Sequence, residues 1–107
     1  MKHASMRILS CLAAAAFFLA FSISAHAQGA ESTYKGKCAA CHGADGTGSA
    51  MGKKMGVHDF HSPDVQKQSD ADLSATITNG KNKMPPYKSL SADDVKGLVA
   101  YIRTFGK

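Results

Sequence analysis

The sequence of 107 residues has no tryptophan, no internal repeat and no long low-complexity tract, and it holds only 3 prolines and 3 cysteines. No segment alternates apolar and polar residues as a half-buried strand would, which argues against a β fold and for an all-α one. The first cysteine, Cys11, lies in a stretch with the parts of a secretory leader. Lys2 and Arg7 give a positive start, Ile8 to Ile23 is almost wholly apolar, and Ala25-His26-Ala27 offers a small-x-small cleavage site. Residues 1–27 therefore read as a signal peptide, with Cys11 and His26 leaving alongside it. The apolar run is short for a membrane span of about 20 residues and no stop-transfer pattern follows, which argues against an uncleaved anchor. A lipoprotein reading of Cys11 meets the objection that most of the apolar stretch comes after it. The expected compartment is the periplasm.

Cleavage after Ala27 leaves residues 28–107, a single domain of 80 residues with two cysteines and no thiol to spare for a structural disulfide. A chain of that size builds only a thin core, so something other than a disulfide must support it. Acidic residues number 8 against 13 basic ones; without Lys2 and Arg7 the basic count is 11 and the net charge +3. That balance is too weak to suggest a nucleic-acid partner.

What the chain does have is Cys38-Ala39-Ala40-Cys41-His42. Cys-x-x-Cys-His is the attachment signature of a c-type haem. On a short helix the two thiols lie one turn apart, so each can add to a vinyl group on the same porphyrin edge, and the imidazole that follows can serve as proximal iron ligand. Taken alone, the thiols could also form a disulfide, a thioredoxin-like redox pair or half a zinc site.

Around this motif the spacing predicts short helices. A first helix is expected from about Ala30 to Ala40. Gly43, Gly46, Gly48, Gly52 and Gly56 then predict a loop, one with no preceding strand and no phosphate-binding pattern. Ser62-Pro63 could open a very short helix reaching about Lys67. Ser69 with Asp72 suggests a capping box for a helix from Asp70 to Asn79, stopped by Gly80. Ser91 with Asp94 suggests a second box, ahead of the stripe Val95, Leu98, Val99 and Ile102. Between these last two helices Met84 precedes Pro85-Pro86, which forbid a helix and hold the backbone extended. A thioether presented so stiffly suits a soft metal ligand, while the same methionine could equally pack in a core.

With both segments in view, the chain resembles a small bacterial class I cytochrome c over residues 30–107. The residues that carry the likeness are Cys38, Cys41 and His42, then Met84-Pro85, then Leu98 to Tyr101. The resemblance implies an all-α cytochrome c fold, three to five short helices wrapped around one covalently bound haem. Cys38 and Cys41 would supply the thioethers to haem c, His42 the proximal iron ligand and Met84 the distal one. It also implies that Tyr34 packs on Leu98 and Tyr101 where the terminal helices cross. Family members often place a proline after the haem histidine, whose carbonyl accepts from Nδ1. None occurs here between His42 and Ser62, so another carbonyl, in the Gly46–Gly56 loop, is expected to orient His42. Rival sixth ligands are His58, His61, Met51 and Met55, all close behind the attachment motif. Phe60 reads as a haem-contacting or core aromatic.

With both axial positions filled, iron has no open site for substrate. The expected role is that of a one-electron carrier cycling between Fe(II) and Fe(III), not an enzyme. Lys81, Lys83 and Lys88 bracket the methionine loop, and Lys53 with Lys54 lies on the glycine-rich segment. These lysines suit redox partners with acidic docking patches, such as an oxidase, reductase or dehydrogenase, with peripheral contact to membrane complexes. A monomer is expected, and Lys83 or Tyr87 could reach a propionate. The alternatives are a haem enzyme or gas sensor with a labile Met84, and a haem subunit of a larger redox complex.

Overall fold

The computed structural model describes residues 29–107, so the expected leader, with Cys11, lies outside the described residues. Six helices follow in order: α1 over residues 29–37, α2 (Ala39–His42), α3 (Ala50–Met55), α4 (Pro63–Gln66), α5 (Asp70–Asn79) and α6 (Ala92–Thr104). Among the described residues there is no strand; the one pairing is an isolated bridge between Lys81 and Met84. The all-α expectation holds, with one helix more than the upper count of five. No helix among the described residues is long and apolar enough to cross a membrane.

Two differences from the expected boundaries have clear causes. The first helix does not run on to Ala40. The chain turns at Cys38 (φ −115°, ψ −35°), and the attachment motif becomes a helical turn of its own, with the amides of Cys41 and His42 both donating to the Cys38 carbonyl. The extra helix is α3, inside the segment expected to be a loop. Ser49 caps it, its Oγ accepting from the Gly52 amide, and Gly56 ends it in the left-handed region at φ 83°. Gly52, in the middle, is what disguises it.

The longer helices start as their sequences dictate. Ser91 and Asp94 form the complete reciprocal box. At α5 only half of the expected box exists: Ser69 Oγ accepts from the Asp72 amide, and the Ser69 amide makes no return bond to the Asp72 carboxylate. The stripe Val95, Leu98, Val99 and Ile102 is buried, facing Leu73 and Ile77 of α5 in one core with Tyr34, Phe60 and Val65.

Tyr34 and Leu98 are the most completely buried side chains, and the Tyr34 ring lies 4.9 Å from that of Tyr101. Where α1 crosses α6, Ala30 stands against Gly97; a Cβ added there would come within 3.3 Å of the Ala30 methyl. The terminal helices thus meet as the resemblance implied. At the far end of α6, Arg103 donates to the carbonyls of Gln66 and Gln68 and to the Asp70 carboxylate, fixing that end to the α4–α5 junction.

Candidate functional site

Cys38, Cys41, His42 and Met84 all line one cavity of about 220 Å³. Its walls are largely apolar, with Val57, Phe60, Leu73, Ile77 and Ile102 among them, and the exposed Lys37, Lys81 and Lys83 stand on its margin. The helical turn of α2 puts both thiols on one side, as their spacing requires. Neither cysteine is in a disulfide, and burial pushes the Cys38 thiol up, keeping it protonated. Among the described residues no group of three or more His, Cys, Asp or Glu could hold a metal, so a zinc site has no second half.

The loop after His42 is tied back to the motif. Gly48 and Ser49 donate their amides to the carbonyls of His42 and Cys41, while Ser49 Oγ lies within hydrogen-bonding reach of the Ala40 and Cys41 carbonyls. α3 packs directly on α2 because Gly52 has no side chain: a Cβ there would sit 1.8 Å from the Cys41 carbonyl oxygen. The attachment turn is therefore braced from behind by backbone.

His42 is mostly enclosed. Burial, with a smaller contribution from the charge of nearby His58, pushes its pKa down, so the imidazole is neutral near pH 7 and keeps a lone pair for a metal. The expected carbonyl is not there. His42 Nδ1 is buried with no hydrogen-bond partner among the described residues. Several nearby carbonyls accept from other groups: Gly43 from the Tyr34 hydroxyl, Gly46 from the Phe60 amide, Ser49 from Lys53 and Gly52 from Val57. In place of an acceptor the ring has a neighbour, since Phe60 stacks on it at 4.5 Å between centroids with planes 21° apart.

Met84 arrives from the other half of the chain. Lys81 and Met84 exchange backbone hydrogen bonds of 3.1 and 2.9 Å around a tight turn, with Asn82 in the left-handed region at φ 54°. Gly80 makes this possible. Its φ is +76°, and a Cβ there would come within 2.6 Å of the Met84 carbonyl oxygen. Beyond the prolines, the Tyr87 amide donates to the Ile77 carbonyl and its hydroxyl to the Lys37 carbonyl, each at 3.1 Å. Tyr87 thus ties the methionine loop to α1 through its hydroxyl.

The rival donors divide. His61 turns away to Asp59, with Nδ1 2.7 Å from the carboxylate, and lies edge-on to Phe105. The His61 amide and ring together hold the Asp59 carboxyl below its usual range. Met51 is 60% exposed and off the cavity. His58 and Met55 do line it, but Met55 belongs to α3, which is packed on the His42 helix, and His58 follows it closely. Met84 alone combines a rigid turn with an origin away from that helix.

Lys37 is a rim residue that the sequence did not single out, although it directly precedes Cys38. Lys88, which it did, is exposed but not among the lining residues, and neither are Lys53 and Lys54. Two thiols, one neutral imidazole and one thioether around an apolar cavity form a donor set that fits a flat, largely apolar macrocycle holding a soft-ligated iron. No other arrangement among the described residues offers a comparable chemistry.

Comparison with known proteins gives likenesses of two kinds, to a family model and to solved structures. The family model for cytochrome c oxidase, cbb3-type, subunit III, matches residues 25–102. The solved structure of the KustC0563 c-type cytochrome is 32% identical over 72% of this chain and 96% of that one, with a TM-score of 0.66. No curated protein matches.

Proposed function

Because the chain belongs to the c-type cytochromes, in the family described as cytochrome c oxidase, cbb3-type, subunit III, and so carries covalently bound haem c with its iron, we propose that it is a periplasmic monohaem carrier. It takes up and gives up one electron at a time between redox partners. Haem-based electron transfer is the role of the family; the location, the single haem and the partners are our reading of this chain. The observation that carries it is the meeting of Cys38, Cys41, His42 and Met84 on one cavity.

In this reading Cys38 and Cys41 anchor the haem as thioethers, His42 is the proximal ligand and Met84 the distal one. Haem supplies an iron that accepts and releases an electron. The protein supplies the rest: a neutral imidazole held by burial, a thioether presented on a braced turn, and apolar walls that exclude water. A soft neutral sulfur favours the ferrous state over harder donors and raises the potential. With both axial positions taken there is no open site for substrate, hence a carrier and not an enzyme.

The test is a visible spectrum and redox titration of the exported protein. A low-spin spectrum with a methionine-to-iron band in the far red supports the carrier; a high-spin oxidised form, or free binding of carbon monoxide by the reduced one, rules it out. Changing Cys38 and Cys41 together to Ser should abolish haem that survives denaturing electrophoresis. Persistence of haem on the denatured double variant would contradict the attachment roles.

Lys37, Lys81 and Lys83 on the cavity margin fit a partner with an acidic docking patch. Neutralising all three should slow electron transfer to such a partner about tenfold at low salt and leave the rate at high salt unchanged, as steering requires. A stopped-flow salt series checks it, and equal rates at low salt would reduce them to ordinary surface charges. The family's description as an oxidase subunit favours a second reading, a haem subunit docked in a larger complex. Stoichiometric copurification with a membrane complex would select that reading over the free carrier.

A further inference from the structure

We infer that Phe60 is the positioning residue that sets the plane of the His42 imidazole, by ring-on-ring contact in place of a hydrogen bond to Nδ1. The inference rests on the reading of His42 as proximal ligand. A metal-bound imidazole can still turn about its own axis, and the usual restraint is an acceptor for the second ring nitrogen. Here Nδ1 is buried without one. Among the described residues the one aromatic ring stacked on it is Phe60, at 4.5 Å and 21°, so turning the imidazole would drive its edge into the phenyl face.

Phe60 is fit to act as a stop because it is itself held at several points. It is 8% exposed. Its amide donates to the Gly46 carbonyl at 2.9 Å, and its own carbonyl accepts from Gln66 Nε2 at 2.6 Å. Phe105 and Tyr34 stand behind it, with ring centroids at 6.0 and 6.3 Å. Gly46, at φ +78°, lets Phe105 lie directly over the loop: a Cβ there would meet the Phe105 ring at 3.0 Å. A chain of aromatic rings thus transmits the position of α6 to the proximal ligand. The missing acceptor has an electronic side as well. Hydrogen bonding from the second nitrogen raises ligand basicity, and without it His42 stays a weaker donor.

The test compares holoprotein variants. Phe60→Leu keeps an apolar side chain and removes the flat face, Phe60→Tyr keeps the face, and Val99→Ala opens the core at a buried site that does not line the cavity. The readouts are the hyperfine-shifted proton resonances of His42 in the oxidised protein and the reduction potential. Phe60→Leu should shift both, Phe60→Tyr should restore them, and Val99→Ala should lower stability while leaving them at parental values. Parental values in Phe60→Leu, or an equal shift in Val99→Ala, would overturn the inference. An independent measurement needs no variant: the reduced parent should show proton cross-relaxation between the Phe60 and His42 rings, and a scalar coupling from the His42 Nδ1 proton to a carbonyl would refute the proposal. A parent lacking a low-spin ferric signal would remove the ligation reading, and this inference with it. Normal ligation with an unmoved Phe60→Leu would defeat this inference alone.

Discussion

Met84→Ala should keep its covalent haem, lose the far-red band of the oxidised protein and bind carbon monoxide when reduced. The thioether is the donor that reaches the cavity from the Lys81–Met84 turn, and alanine offers no replacement. Removing a soft neutral ligand favours the ferric state, so the potential falls. A fall on the order of 0.1 V or more is expected, within the roughly 0.8 V that axial ligation spans across haem proteins. Potentiometric titration followed by visible absorption measures both effects. Because Met84 is also packed against the core, the variant should lose about 2 kcal/mol of stability as well. An unchanged spectrum would give the axial role to another cavity donor, Met55 or His58, and would end the assignment of residue 84.

The second large effect is steric and lies behind the haem motif. Gly52→Ala places a methyl 1.8 Å from the Cys41 carbonyl oxygen, a backbone atom with nowhere to go while its turn carries both thiols. Either α3 lifts off α2 or the attachment turn distorts. The expected loss is about 3 kcal/mol, which for a domain of this size lowers the melting temperature by about 15 °C. Gly56→Ala separates this from a general intolerance of side chains. That position has φ +83° but nothing within 4 Å of an added Cβ, so its cost is backbone strain alone, about 1 kcal/mol. Thermal melts of the two holoproteins should differ clearly; equal melts would mean that the contact between α2 and α3 is dispensable.

These two residues mark where the sequence could and could not be read. That Met84 would face the same cavity as the haem motif was legible because the chemistry around it is local: the motif upstream and two prolines downstream leave few uses for a methionine at that place. Cys38, Cys41 and His42 were legible for the same reason, since covalent attachment dictates their spacing. The box at Ser91 and Asp94 is likewise a matter of four consecutive residues, and it formed in full. Gly52 was not legible. In sequence it is one breaker among several, and its reason, the nearby Cys41 carbonyl, exists only once the chain has folded. From sequence the helix it sits in therefore looks like a loop, although Ser49 and Gly56 are ordinary start and stop signals.

The proximal side shows the same boundary. The absence of a proline after His42 correctly signalled a departure from the family pattern, but a replacement carbonyl was the wrong substitute. Several nearby carbonyls are used in folding the loop, none accepts from Nδ1, and an aromatic 18 positions downstream fills the role by contact. Residues that far apart meet only through the bend of the whole chain. Lys37 was missed for a related reason: which lysines stand at the rim depends on where the cavity opens.

The bond from the Tyr87 hydroxyl to the Lys37 carbonyl ends one residue before the first thioether cysteine. The jaw that offers sulfur is thereby latched to the base that holds the porphyrin stitch. In the proposed ligation, any shift of the backbone that carries Met84 strains both this latch and the paired turn at residues 81–84. The sulfur of the proposed axial ligand therefore sits on a strap fastened at two points rather than on a free loop.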